Sequence, residues 1–131
     1  MRRASGEERS VAKRILVVED HEENRRIMRD LLTHAGFEMV EAHTGEDGVA
    51  AAARERPDLI LMDIQLPGID GYEVTRRIRA DPALRAIPII AVTSYALSGD
   101  DQKALAAGCD AYVTKPFSPR ALLGKVREYL G

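Results

Sequence analysis

The sequence predicts an α/β fold in which five short strands alternate with five helices to form one parallel sheet covered on both faces. Three observations carry this expectation. The apolar residues switch repeatedly between short continuous runs and a helical period. Gly, Pro, Asp and Ser fall where the pattern switches. The chain has 131 residues, enough for one domain with its own core and too few for two.

Residues 1–13 are polar and aperiodic and read as a flexible N-terminal tail, with the folded domain spanning 14–131. Within the tail, Arg2-Arg3-Ala4-Ser5 has the form of a basic-directed kinase site, a motif short enough to arise by chance. Arg14 to Val18 is the first strand and runs into Glu19-Asp20. From His21 to Ala35 the period becomes helical. Ile27, Met28, Leu31, Leu32 and Ala35 share one face, with Arg25, Arg26, Arg29 and Asp30 largely off it. Asp20 and Glu23 have capping-box spacing at its start, and Gly36 suits its C-terminus.

Phe37 to Ala42 carries Glu38 and Glu41, a level of charge that belongs to an edge strand. Thr44 to Arg56 is Ala-rich and helical, stopped by Pro57. Leu59 to Met62 is uninterrupted apolar sequence, the pattern of a central strand buried on both faces, and it delivers Asp63. After the Leu66-Pro67-Gly68 loop, Asp70 and Glu73 repeat the capping-box spacing for a helix to about Arg79. Ile87 to Val92 is the fourth strand, with Pro88 near its start, and it delivers Thr93. Ser98 to Ala107 reads as a helix closed by Gly108, and Ala111 to Val113 as a fifth strand ending near Lys115-Pro116. Ser118 as N-cap and Pro119 at the first helical position open a last helix with Leu122, Val126, Tyr129 and Leu130 as its stripe. Strict alternation of this kind suits the flavodoxin-like strand order 2-1-3-4-5, a (βα)5 three-layer sandwich.

Composition narrows the function. A net charge of −2 gives no general attraction to nucleic acid or to anionic membrane. No apolar run approaches the length of a membrane span, no signal peptide is evident, and the one cysteine, Cys109, cannot form an internal disulfide. A cytoplasmic location is the expectation. Cys109 reads as a small buried residue rather than a redox sensor, and His21, His34 and His43 show no metal-like clustering.

In an open parallel sheet, ligands bind beyond the carboxyl ends of the strands. The expected topology brings Glu19, Asp20, Asp63, Thr93 and Lys115 to that one end. Each has an ordinary reading when taken alone. Asp20 suits a helix cap as well as a metal, Glu19 a solvated charge, Asp63 the start of a loop, Thr93 a strand and Lys115 a surface. Together they describe more. Three close carboxylates cannot all ionise without a counterion, and hard oxygen ligands select Mg2+ or a similar ion such as Mn2+. Lys115 and Thr93 add an ammonium and a hydroxyl, which completes the parts of a phosphoryl-transfer site. Asp63, at the end of the central strand, is the best-placed nucleophile.

These residues lie in ILVVEDHEENRRI, DLILMDIQLPGIDGYEV, IPIIAVTSYA and GCDAYVTKPF. Through them the chain resembles the receiver domain of two-component response regulators, from about Lys13 to Leu130. The wording is nearest to single-domain, chemotaxis-type receivers and to receivers attached to hybrid kinases. The resemblance implies that Asp63 accepts a phosphoryl group from a phosphohistidine on a histidine kinase or histidine phosphotransferase. It implies that Glu19, Asp20, Asp63 and the backbone carbonyl of Gln65 hold the metal. Many relatives carry Asp-Asp where this chain has Glu19-Asp20, a variant expected to keep metal binding. It implies that Thr93 and Lys115 engage the phosphoryl group, that Tyr112 is the aromatic switch residue, and that the bond before Pro116 is cis. The output surface would be the fourth helix, fifth strand and fifth helix.

The resemblance implies no turnover of external substrates beyond self-phosphorylation and autodephosphorylation, and Gln65 supports this. A small-molecule phosphatase of related topology usually carries a second acid two residues after the nucleophile, and here that position is Gln65. A flavin carrier needs a phosphate-cradling loop where this chain has Glu19-Asp20-His21-Glu22-Glu23. The remaining alternatives are a receiver fragment of a hybrid kinase and a pseudo-receiver adaptor, the latter opposed by intact Asp63, Thr93 and Lys115. Sixteen residues follow Lys115, room for one helix and no effector. Protein contact, or phosphate relay to another histidine, is therefore the expected output, from a monomer or weak homodimer. Tyr95, two residues past Thr93, is placed to shield the phosphoryl group from water.

Overall fold

The computed structural model describes residues 12–94 and 100–131, with only the backbone of residues 100 and 101. Residues 1–11 of the expected tail, Tyr95, and Ser98 as the expected start of the fourth helix lie outside the described residues. Five strands, β1 (Arg14–Val18), β2 (Glu38–Ala42), β3 (Leu59–Asp63), β4 (Ile89–Thr93) and β5 (Ala111–Thr114), alternate with five helices. These are α1 (Glu22–His34), α2 (Gly45–Glu55), α3 (Gly71–Ala80), α4 (Asp100–Ala107) and α5 (Pro119–Leu130). The sheet order is β2-β1-β3-β4-β5 and every pairing is parallel, which is the flavodoxin-like topology.

The strand period of two divides the core into two layers. Leu16, Val18, Ile60, Met62, Ile89 and Ala91 face one side, against Ala51 and Ala52 of α2, Val74 and Ile78 of α3 and Ala104 of α4. Ile15, Val17, Leu59, Leu61, Ile90 and Val92 face the other, against Met28 and Leu32 of α1 and Leu122 and Val126 of α5. Strands β3 and β4 are buried along their whole length, whereas β2 is largely half-exposed at the edge.

Several element boundaries differ from expectation. The capping box at Asp20 and Glu23 does not form. His21 is the N-cap of α1, without a side-chain cap bond. Asp20 instead remains beside Glu19 and His21 at the strand end. Helix α1 also presents a different face. Arg25 is buried with Met28 and Leu32, while Ile27 is 51% exposed. Arg25 can be buried because its guanidinium is engaged on several sides. It donates to the Glu19 carbonyl at 2.8 Å and to the Glu22 carboxylate at 2.7 Å, and its Nε lies 3.3 Å from Glu41. Glu41 is also gripped by Arg29 through two bonds of 2.7 and 2.8 Å, which explains how a carboxylate is carried on β2.

Strand β4 begins at Ile89, one residue past Pro88, whose carbonyl still accepts from Ile60 N–H. Caps at Thr44, Asp70 and Ser118 each accept a backbone N–H at 3.0 Å. At Asp70 only half the box forms, because the Glu73 carboxylate turns to Arg76 and Arg77. Tyr129 leaves the α5 stripe for the surface, its hydroxyl donating to the Asp110 carbonyl. Cys109 is buried, and burial raises its thiol pKa above the ordinary value, as suits a packing residue.

Candidate phosphoryl-acceptor site

The strand register assembles the site. Val18 lies opposite Met62, so the residues that follow, Glu19 and Asp63, come side by side. Asp63 lies opposite Val92, and Thr93 is the next residue along β4. Thr93 lies opposite Thr114, which sets Lys115 one position beyond the end of β5. Residues separated by most of the chain thus meet because four strands stop at one level.

Glu19, Asp63 and Thr93 are buried, with 0%, 2% and 4% of their surface exposed. The Lys115 ammonium sits between the two acids, 3.0 Å from Glu19 Oε1 and 3.4 Å from Asp63 Oδ2. Backbone donors hold the far oxygens. His21 N–H reaches Glu19 Oε2 at 3.1 Å and Gln65 N–H reaches Asp63 Oδ1 at 3.0 Å. Asp20 completes the acidic group, with ligand atoms of Glu19, Asp20 and His21 all within 4.8 Å of one another. His21 therefore does join an acidic cluster, contrary to the sequence expectation. The signal was plain adjacency in the chain.

Charge is unevenly compensated. Among the described residues, Lys115 is the ammonium that touches both buried acids. Burial, and then the neighbouring Glu19 charge, push the Asp63 carboxyl up to about 6, against the opposing pull of Lys115 and the Gln65 N–H. Burial also acts to raise Glu19. There the His21 N–H and Lys115 outweigh it and hold the carboxyl below its usual range.

Asp20 Oδ1 is buried without a hydrogen-bond partner, although the exposed His21 ring nitrogen lies 3.3 Å away as an ion-pair contact when protonated. An orphaned carboxylate oxygen beside the Glu19 carboxylate fits a hard divalent cation such as Mg2+.

Two features escaped the sequence reading. Arg25 fixes the backbone of Glu19 from beneath. The Gln65 side chain reaches β4, where its Nε2 donates to Thr93 Oγ1 at 2.8 Å and its Oε1 accepts Ser94 N–H at 3.0 Å. Helix α3 also crowds the site. A Cβ on Gly71 would overlap the Asp63 carbonyl oxygen and lie 2.8 Å from Ile64 Cα. Tyr112 stands apart from the cluster, 39% exposed on β5. The Lys115–Pro116 bond is cis. An open cleft beside the site is lined by Asn24, Ile27, Ser94, Lys115, Pro116 and Phe117.

Comparison with known proteins matches residues 15–127 to the response regulator receiver domain. The polar-differentiation response regulator DivK of Brucella anthropi is 43% identical over 119 residues, covering 91% of this chain and 97% of that protein. Among solved structures, the receiver domain of a Pseudomonas aeruginosa sensor histidine kinase, with magnesium coordinated in its active-site cleft, superposes with a TM-score of 0.86. It is 39% identical and the match covers 92% of this chain and 99% of that one. The chemotaxis protein CheY4 of Vibrio cholerae superposes at 0.87 with 27% identity, covering 91% and 99%.

Proposed function

The chain belongs to the response regulator receiver family of two-component signalling, and from that premise we propose that Asp63 accepts a phosphoryl group from a partner's phosphohistidine. The partner is a histidine kinase or a histidine phosphotransferase. The observation that carries this reading is the buried Asp63–Lys115–Glu19 contact at the end of β3. An Asp63 carboxylate oxygen attacks phosphorus and the P–N bond breaks. Its electron pair passes to the imidazole nitrogen, and a P–O bond forms.

The residues present each have a part. Glu19, Asp20, Asp63 and the Gln65 carbonyl would hold Mg2+ or Mn2+, which when bound neutralises charge on the transferring phosphoryl oxygens. Lys115 already touches Asp63 and is placed to pair with a phosphoryl oxygen. Thr93 is placed to hydrogen-bond another. As Thr93 moves toward Asp63, Tyr112 turns inward from its exposed position and remodels the face of α4, β5 and α5 for a downstream protein. No helix among the described residues is long and apolar enough to cross a membrane. The Asp63–Lys115 pair sets the direct test. Wild-type protein should take label from a small phosphodonor such as acetyl phosphate only with a divalent cation, and Asp63→Asn should take none. Persistent labelling of that variant would sink the assignment.

A further inference from the structure

We propose that the Gln65 carboxamide is a latch that holds Thr93 in its resting position and must open when the receiver switches. The proposal rests on the phosphoacceptor reading of Asp63 and adds a positioning residue to it.

The chemistry of the contact fixes its orientation. Ser94 N–H is a backbone donor and can only donate, so it requires the carboxamide oxygen, Oε1, at 3.0 Å. The amide nitrogen must then face Thr93, where Nε2 lies 2.8 Å from Oγ1. One planar side chain thus clasps two consecutive residues of the β4 end. Its own backbone is anchored at the other side of the site, since Gln65 N–H binds Asp63 Oδ1. The three contacts tie the carboxylate of the proposed acceptor to the residue proposed to travel toward it.

Geometry makes this a restraint on the switch. Gln65 projects from the loop after β3, and Thr93 is 96% buried at the end of the neighbouring strand. A displacement that carries Thr93 Oγ1 away from Nε2, or Ser94 N–H away from Oε1, breaks the fork unless the Gln65 side chain or its loop moves with them. Two hydrogen bonds, each worth about 1 kcal/mol net, set an upper scale of about thirtyfold in the switching equilibrium.

The test uses the full chain with Mg2+ and beryllofluoride, an acyl-phosphate mimic that binds at the acceptor carboxylate. Gln65→Met keeps the volume and removes both bonds. Gln65→Asn is one methylene too short to reach both partners. Both variants should bind beryllofluoride about three- to tenfold more tightly than wild type. Hydrogen exchange at the Ser94 amide, read by NMR, should be protected in resting wild type and lose that protection on loading. In both variants it should be fast before loading. A merely structural side chain would weaken binding in both variants and leave Ser94 exchange unchanged on loading. Unchanged or weaker affinity in both variants, or a Ser94 amide still protected in loaded wild type, overturns the latch. If wild type itself binds no beryllofluoride, the acceptor reading has failed instead.

Discussion

At Asp63, burial and the Glu19 charge work against ionisation, and the consequence is a pH-dependent cost to the fold. The folded carboxyl titrates at about 6 against an ordinary 3.8, so between those values the folded state binds more protons than the unfolded one. Stability therefore falls as pH rises through that window, and the cost is fully present above about pH 6. Asp63→Asn removes it. Without divalent cation at neutral pH the variant should be more stable than wild type, by roughly 3 kcal/mol, and the gap should close as pH falls toward 4. Urea denaturation at several pH values measures this, and a variant less stable at neutral pH would contradict the electrostatic reading. Added Mg2+ should stabilise wild type and not the variant.

Also at the residue scale, Arg25 shows what a helical period leaves out. Counting arginine as polar puts Ile27 inward and Arg25 outward. The structure reverses both, because the partners of Arg25 are a carbonyl in the β1–α1 loop and a carboxylate on β2. Neither is visible in a helical wheel. The pairing of Gln65 with Thr93 and Ser94 was hidden for the same reason, since it spans two strand ends 28 and 29 residues apart.

At the scale of the elements, the local rules served well where chemistry and position agree. Ser118-Pro119 opens α5 as expected, and Thr44 and Asp70 cap their helices. Asp20 is not the cap: His21 holds that position, and Asp20 stays with Glu19 and His21 at the strand end, an alternative that spacing alone does not separate from capping. Helix glycines divide in the same way. Gly71 sits where α3 passes the Asp63 backbone, whereas Gly124 in α5 has open space around its Cα. Gly71→Ala should therefore destabilise by about 2 kcal/mol and slow phosphorylation, since the added methyl must displace the Asp63 backbone. Gly124→Ala should stabilise by about 0.5–1 kcal/mol through backbone entropy and leave phosphorylation alone. Thermal melts with parallel labelling separate the two. Equal effects would mean the close approach at Gly71 has no bearing on the site.

For the whole molecule, topology was the most legible feature. Apolar runs ending in Asp63 and Thr93 and a charged edge strand were enough to order the sheet, and the sheet order alone gathered the site. The output side was less legible. Tyr112 and Leu105 are among the exposed large side chains of β5 and α4, and the switch role proposed for Tyr112 depends on motion rather than on burial. Beryllofluoride should shift amide resonances along α4, β5 and α5. In Tyr112→Ala those distant shifts should shrink while shifts around Asp63 persist. Loss of both sets together would remove Tyr112 from the switch and place it in the site.

A covalent bond between phosphorus and one carboxylate is read most directly by trapping it. Wild-type protein is loaded with acetyl phosphate and Mg2+, reduced with borohydride to convert an aspartyl phosphate to homoserine, and mapped by peptide mass. Conversion confined to Asp63, and absent when the cation is chelated, is the expected result. Conversion at another acidic residue, or none while the protein is demonstrably folded and loaded with Mg2+, would contradict it.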